Sequence, residues 1–370
     1  MAQDIIKIAA EYNQQRKDYA KGLPVCLAPF NNLYFKSSGV VSPCWLYAGK
    51  SGKYPLDSLQ DIWIGSIFDK IRSAIKRLDF DSGCSECKKD LANNNFKNFL
   101  GAKYDCPYTI DGYPKIMEFE LSNKCNLDCV MCRVSPAFLS RENWAWEPPE
   151  ENIYDESFVK QLVPFIPYLE EARFNGGEPF LIDIYYDIWA EILRIKPSIK
   201  ICVATNGTIL AERTKAIMEK GMFYIGLSLD SLEPKNYESI RRNASLETTL
   251  KNMNYFIDYC RRKKTLLTIV VNPMRFNWHE MPSFVELGNT HDVPIEFNTI
   301  RRPENVSLWA LSAGELTNIY DSLSKTVFSE TPEMTQHQRY NISRYNHLVH
   351  VQIKNWVKDA QDRENSKNPA

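Results

Sequence analysis

LSNKCNLDCVMC, residues 121–132, is the stretch on which the reading of this chain turns. It places Cys125, Cys129 and Cys132 on one short loop, with three and then two intervening residues, directly after an apolar run, Lys115–Leu121, that reads as a strand. Four thiolates close an ordinary [4Fe–4S] site, so three on a tight loop leave one iron without a protein ligand. That open iron is a place for chemistry. A structural zinc site also wants four ligands. No histidine or fourth cysteine lies nearby in sequence, so zinc here would have to be completed from afar.

Outward from this loop, toward the C-terminus, apolar strands alternate with amphipathic helices. Strands are predicted at Lys115–Leu121, Glu171–Asn175, Ile199–Thr205, Phe223–Asp230, Leu266–Val271 and Ile295–Ile300. Helices are predicted at Glu156–Tyr168, Ile182–Ile195, Ala211–Lys220, Leu246–Lys263 and Met281–Gly288. Repeated strand-then-helix units force parallel pairing, so the class is α/β, a partial barrel or an open twisted sheet over 112–305. In such folds the ligand sits at the C-terminal ends of the strands. Residues 306–370 read as a helical extension ending in a polar tail.

Toward the N-terminus the texture differs. A lead helix over 1–22 precedes a segment, 23–111, rich in Gly, Pro, Asn and Ser. Leu33–Phe35 and Val40–Val41 flank Ser37-Ser38-Gly39 as a small hairpin, and apolar residues recur at helical spacing from Leu59 to Leu78. This is a small α+β module with little core of its own, the situation in which a metal staple helps.

Bulk properties narrow the partners. With 45 basic and 46 acidic residues and a net charge of −1, neither nucleic acid nor an anionic membrane surface is predicted. The first residues lack the apolar core and cleavage site of a signal peptide, and no segment has the roughly 18–20 apolar residues of a membrane span. Ten cysteines without a secretion signal point to a reducing, cytoplasmic setting in which thiols serve metal or redox chemistry.

The C-x3-C-x2-C loop resembles that of the radical S-adenosylmethionine (SAM) superfamily, and further features follow in that family's order. Gly176-Gly177-Glu178 resembles the Gly-Gly-Glu motif that holds the SAM ammonium, and Thr205-Asn206-Gly207 ends the third strand where the family carries a similar turn. Ser228 and Asp230, two apart and so on one face of the fourth strand, match positions that bind the cofactor's ribose and carboxylate. Arg241 or Arg242 resembles the arginine that pairs with that carboxylate. The resemblance implies a partial (β/α)6 radical SAM barrel and a [4Fe–4S] cluster on Cys125, Cys129 and Cys132. It implies reductive cleavage of SAM to a 5′-deoxyadenosyl radical, and a reductant such as flavodoxin or ferredoxin.

Cys26, Gly39 and Cys44, with twelve and then four residues between them, followed by Cys84-x2-Cys87, resemble the first half of the SPASM cysteine pattern. That implies a second, auxiliary [4Fe–4S] cluster on Cys26, Cys44, Cys84 and Cys87; zinc on the same thiolates is the rival. Two departures stand out: only Cys106 remains to continue the pattern, as a further ligand or as a loop thiol, and the module precedes the barrel instead of following it.

Other residues carry two readings each. Cys202, on the third strand, is a hydrogen-atom donor of the kind an epimerase uses, or a small apolar residue. Cys260 reads as structural, His347 and His350 as a solvated pair, and Trp144, Trp146 and Pro148-Pro149 as a lid or as interior packing. The leading functional expectation is hydrogen abstraction from a peptide or protein side chain, leading to oxidation or crosslinking. The alternatives are a dehydrogenase or epimerase of a sugar, aminocyclitol or other small metabolite, and a non-catalytic zinc-stabilised binding protein.

Overall fold

The computed structural model describes residues 2–96, 99–107, 112–132 and 153–367. Its strands, in chain order, are β1 (Asn32–Lys36), β2 (Val40–Ser42), β3 (Gly52–Lys53), β4 (Ile116–Glu120), β5 (Asp128–Cys129), β6 (Glu171–Phe174), β7 (Lys200–Thr205), β8 (Met222–Ser228), β9 (Arg241–Arg242), β10 (Leu267–Val271) and β11 (Ile295–Phe297). The six that alternate with helices, β4, β6, β7, β8, β10 and β11, are those of the expected (β/α)6 succession. The fold class is α/β, with a small module ahead of it. Contacts divide the chain into two compact units. One holds residues up to 124, the chain leading to 202 and the segment 216–222; the other holds the 125–132 loop, 203–215 and everything from 223 on.

In the first unit, β1 lies parallel to β4, with Asn32 opposite Ile116 and Lys36 opposite Glu120. On its other side β4 pairs in parallel with β6, and β2 and β3 continue antiparallel from β1. The cysteine-bearing module is therefore stitched by backbone hydrogen bonds to the first strand of the α/β succession. Period-two alternation gives this sheet two different faces. Leu33, Phe35, Met117, Phe119, Ala172 and Phe174 are buried on one of them. Phe35, Phe119 and Phe174 stack across three strands with ring centroids 5.2 and 4.8 Å apart. Helices Glu156–Leu162 and Asp183–Ile195 cover this stack, Phe158 standing edge-on to Phe35 and Tyr185 and Trp189 edge-on to Phe174. The opposite face is polar, carrying Asn32, Tyr34, Glu118, Glu120, Glu171 and Arg173.

The helix expected over Leu59–Leu78 is two, Leu59–Ile64 and Ser66–Lys76. Gly65 separates them in extended backbone, and a Cβ there would stand 2.1 Å from the Asp61 carbonyl oxygen. The module's core gathers Tyr12, Leu27, Ile71, Ile75, Phe80, Leu91, Phe99, Tyr104 and Ile116.

In the second unit β10 pairs in parallel with both β8 and β11. Helices Leu246–Lys263 and Met281–His291 follow β8 and β10. β11 is shorter than expected, ending at Phe297. The buried Asn341, from helix Gln336–His347, ties that edge down: its Oδ1 accepts from Ile295 N and its Nδ2 donates to the Val293 carbonyl. Among the described residues no helix is long and apolar enough to cross a membrane.

Phe119→Ala removes the middle ring of the stack and is expected to cost about 3–5 kcal/mol, the usual range for emptying a buried aromatic site. Urea denaturation of the anaerobically purified protein measures it.

Candidate functional site

The cysteine loop is anchored at its middle. Asp128 and Cys129 form β5, antiparallel to Arg242 and Arg241 of β9, and the Val130 amide donates to the Ile240 carbonyl at 3.0 Å. Val130 and Met131, the apolar residues between the second and third cysteines, pack on Ile240, Met274 and Val306. Cys125 is exposed, and Cys129 and Cys132 are half-buried. Burial pushes the Cys129 thiol up to about 12, opposed by Arg241 and reinforced by Cys132, Asp230 and Cys125. Thiols that burden one another in this way favour a shared cationic partner, which a metal core supplies.

Asn206 braces the loop. Its Nδ2 donates to Asn126 Oδ1 at 3.0 Å and lies 3.8 Å from Cys125 Sγ, while its Oδ1 accepts from the Thr208 amide at 2.9 Å. Thr208 Oγ1 accepts from Asn126 Nδ2, and Asn252 Nδ2 holds the Gly207 carbonyl. The Thr-Asn-Gly turn is therefore part of the site's scaffold.

The two arginines separate cleanly. Arg241 is buried, its Nη2 is 2.6 Å from Asp230 Oδ2 and its Nη1 is 3.9 Å from Cys129 Sγ. Arg242 is exposed and pairs with Asp128 at 3.2 Å. The strand bearing Ser228 ends there, so Asp230 lies beyond it and the alternation argument stops short of it. Asp230 is buried by its own partners: the Asn272 amide and Nδ2 donate to Oδ1 at 2.8 and 2.9 Å, and Asn277 Nδ2 holds its carbonyl. Ser228 is half-buried at the strand's end. Arg241 Nε is buried and has no hydrogen-bond partner among the described residues, which leaves a donor for an incoming carboxylate.

In the other unit, Gly176-Gly177-Glu178 lies against the backbone that leads into the cysteine loop. The Gly177 amide donates to the Ser122 carbonyl at 2.9 Å and the Glu178 amide to that of Lys124 at 2.8 Å. Gly176 has φ +114°, and a Cβ on Gly177 would stand 2.1 Å from the Lys124 oxygen, so both positions require glycine. Glu178 is fully buried, with Oε1 accepting from the Phe180 amide.

Cys26, Cys44, Cys84 and Cys87 line one cavity in this unit, walled by Pro43, Ile71, Phe80, Phe99 and Tyr104. Burial and the neighbouring thiols raise Cys26 well above its ordinary value, and burial raises Cys44 and Cys84 to about 12 and Cys87 to about 11. Four thiols that converge on one cavity suit a shared metal centre, and that donor set is one an iron–sulfur cluster takes. Cys106 is not in that lining; it is buried and accepts from Asn31 Nδ2.

Cys202 stands on the polar face with its Sγ 3.5 Å from Glu171 Oε1. Burial and that carboxylate raise the thiol to about 12, which keeps its hydrogen in place. Cys260 is buried within its helix. Trp144, Trp146, Pro148 and Pro149 lie outside the described residues.

The family described as the Radical SAM superfamily matches residues 119–287, and the iron-sulfur cluster-binding domain SPASM matches residues 26–88. The chain carries a radical SAM domain preceded by a SPASM domain. Its cofactors are S-adenosylmethionine and iron–sulfur clusters. A GTP 3′,8-cyclase of Limosilactobacillus fermentum is 27% identical over 191 residues, covering 50% of this chain and 55% of the relative. One of Chlorobaculum tepidum is 26% identical over 192 residues, covering 51% and 54%. The chain thus spans about half the length of these curated relatives. Among solved structures, SuiB of Streptococcus suis is 14% identical with a TM-score of 0.42, covering 70% of this chain and 56% of that one. The native anSMEcpe structure with bound AdoMet is 17% identical with a TM-score of 0.42, covering 57% and 59%.

Asn126, Thr208, Asn252, Asn272 and Asn277 escaped the sequence reading. Their signal was an amide or hydroxyl side chain inside the cysteine loop, after a strand end or, for Asn252, within a helix, where only contacts across the fold assign a partner. Asp230→Asn strips the buried Arg241 of its counter-charge and is expected to cost about 3–5 kcal/mol. Arg242→Gln, on the exposed pair, is expected to change stability by less than about 1 kcal/mol. Anaerobic denaturant titrations of the two variants compare them directly.

Proposed function

We propose that this chain is a radical SAM enzyme that takes a hydrogen atom from a peptide or protein side chain, the first step of an oxidation or crosslink. Cys125, Cys129 and Cys132 would hold a [4Fe–4S] cluster that, with an electron from a reductant such as flavodoxin or ferredoxin, would cleave S-adenosylmethionine to methionine and a 5′-deoxyadenosyl radical. The observation that carries the reading is the cysteine loop held by Asn206 and by β9, with the Gly-Gly-Glu backbone set against the residues that lead into it. Glu178 and the carbonyls near it suit an ammonium. Arg241 Nε offers a donor to a carboxylate, while Asp230 and Asn272 keep that guanidinium in place. Ser228, half-buried at the end of β8, offers a hydroxyl suited to a ribose.

The four cysteines at Cys26, Cys44, Cys84 and Cys87 would hold an auxiliary [4Fe–4S] cluster in a cavity with mainly apolar walls. The match to a SPASM domain supports a peptide or protein as substrate. A small-metabolite substrate is the second reading; it is favoured by the relatives' name, GTP 3′,8-cyclase, and by the protonated Cys202 thiol, which suits an epimerase.

Cys125→Ala, Cys129→Ala or Cys132→Ala is expected to abolish 5′-deoxyadenosine formation under strong reductant. Cys84→Ala or Cys87→Ala is expected to spare that cleavage and stop substrate modification. Chromatography of the nucleoside products and iron counts on each variant make the comparison; loss of cleavage in both sets would mean that the N-terminal site is structural. Turnover in deuterated water separates epimerisation through Cys202, which places solvent deuterium in the product, from oxidation, which does not.

A further inference from the structure

The polar face of the first unit's sheet holds more buried charge than the cofactor contacts use. Glu118 Oε1 accepts from Asn32 Nδ2 at 2.8 Å and from the Tyr104 hydroxyl at 2.7 Å. Its Oε2 lies 3.4 Å from Arg173 Nη1, and Arg173 Nε donates to Glu171 Oε1 at 2.6 Å. Glu171 in turn accepts from Lys200 Nζ at 3.2 Å and meets the Cys202 thiol. Glu118 and Glu171 are buried, whereas the Lys200 side chain is 40% exposed. The series therefore runs from a buried end to an open one. Burial alone would raise Glu171, but Arg173 and Lys200 outweigh it and hold the carboxyl below its usual value, so it stays an anion.

Its buried end is Tyr104, which faces two ways. The ring lines the cavity of Cys26, Cys44, Cys84 and Cys87, the hydroxyl donates to Glu118, and the Arg173 guanidinium lies 5.9 Å from the ring centroid. Buried charges are costly unless paired, and a hydrophobic replacement of the same shape is often as stable. A line of three such groups, leading through Tyr104 to a cavity of thiols, is thus an unneeded expense if it serves packing alone.

We propose that Tyr104, Glu118, Arg173 and Glu171 form a positioning relay that couples the polar sheet face, where Lys200 and Cys202 meet Glu171, to the auxiliary cluster. A change at the open end redistributes the hydrogen bonds of Arg173 and Glu118, and Tyr104 passes that change to the cluster's surroundings. The inference rests on the reading that the four thiols hold an iron–sulfur cluster. Glu171 itself does not line the cavity.

The test is an anaerobic redox titration of the holoprotein, followed by electron paramagnetic resonance at the auxiliary cluster. Reduction adds negative charge to the cluster, so Glu171→Gln, which removes an anion, is expected to raise its midpoint potential, and Glu171→Asp to leave it near the wild-type value. In a Tyr104→Phe background the relay is cut, and Glu171→Gln is expected to give a smaller shift, the through-space part alone. No shift from Glu171→Gln in the wild-type background overturns the relay. Equal shifts in both backgrounds also overturn it, since plain long-range electrostatics adds without regard to Tyr104. Iron and sulfide counts accompany each variant. If the wild-type protein holds a single cluster, the auxiliary-cluster reading fails and the relay with it; if it holds two and the shifts are absent or additive, only the relay fails.

Discussion

The parallel ladder between Asn32–Lys36 and Ile116–Glu120 is the constraint on which much else rests. Five residues of each strand are in register, so every side chain of the cysteine module's first strand is assigned a face by the strand beside it. A slip of one residue would turn Leu33 and Phe35 onto the polar side and Asn32 and Tyr34 into the aromatic stack. The ladder also answers a question raised by the inverted order of the two domains. A module ahead of an α/β succession reaches it by adding strands to the edge of its first strand.

Electrostatics organises the two units differently. Around the cysteine loop the buried Arg241 stands between a carboxylate and a thiol, Asn272 donates to Oδ1 of Asp230 and Asn277 to its backbone carbonyl. The sheet of the other unit carries its charges in series, acid and base alternating along one face. On the sheet the groups are held by the backbone ladder beneath them, so their positions follow from strand register, whereas Asp230, Asn272 and Asn277 lie past strand ends.

Much of this was legible in the chain itself. The strand-then-helix succession, the two cysteine sets and the Gly-Gly-Glu turn all rest on local spacing, and local spacing survives folding. The readings that needed revision were boundaries. Gly65 divides a helix in extended backbone where the Asp61 carbonyl leaves no space for a Cβ, and Asp230 lies past its strand end, where its carboxylate meets Arg241 and Asn272. The adjacent pair Arg241 and Arg242 is identical in residue type, and only the antiparallel pairing with Asp128 and Cys129 sends one inward and the other to solvent.

The sequence by itself determined which residues can bind metal: three thiols on one loop and four in the N-terminal module, because ligand type and short-range spacing are properties of the chain. Tertiary structure decided what surrounds them. That Asn206 braces Cys125 and that Tyr104 lies between a thiol cavity and Glu118 depend on contacts between residues 14 to 81 positions apart. Such contacts are set by strand register and by the burial of apolar faces, and no local pattern of residues records them.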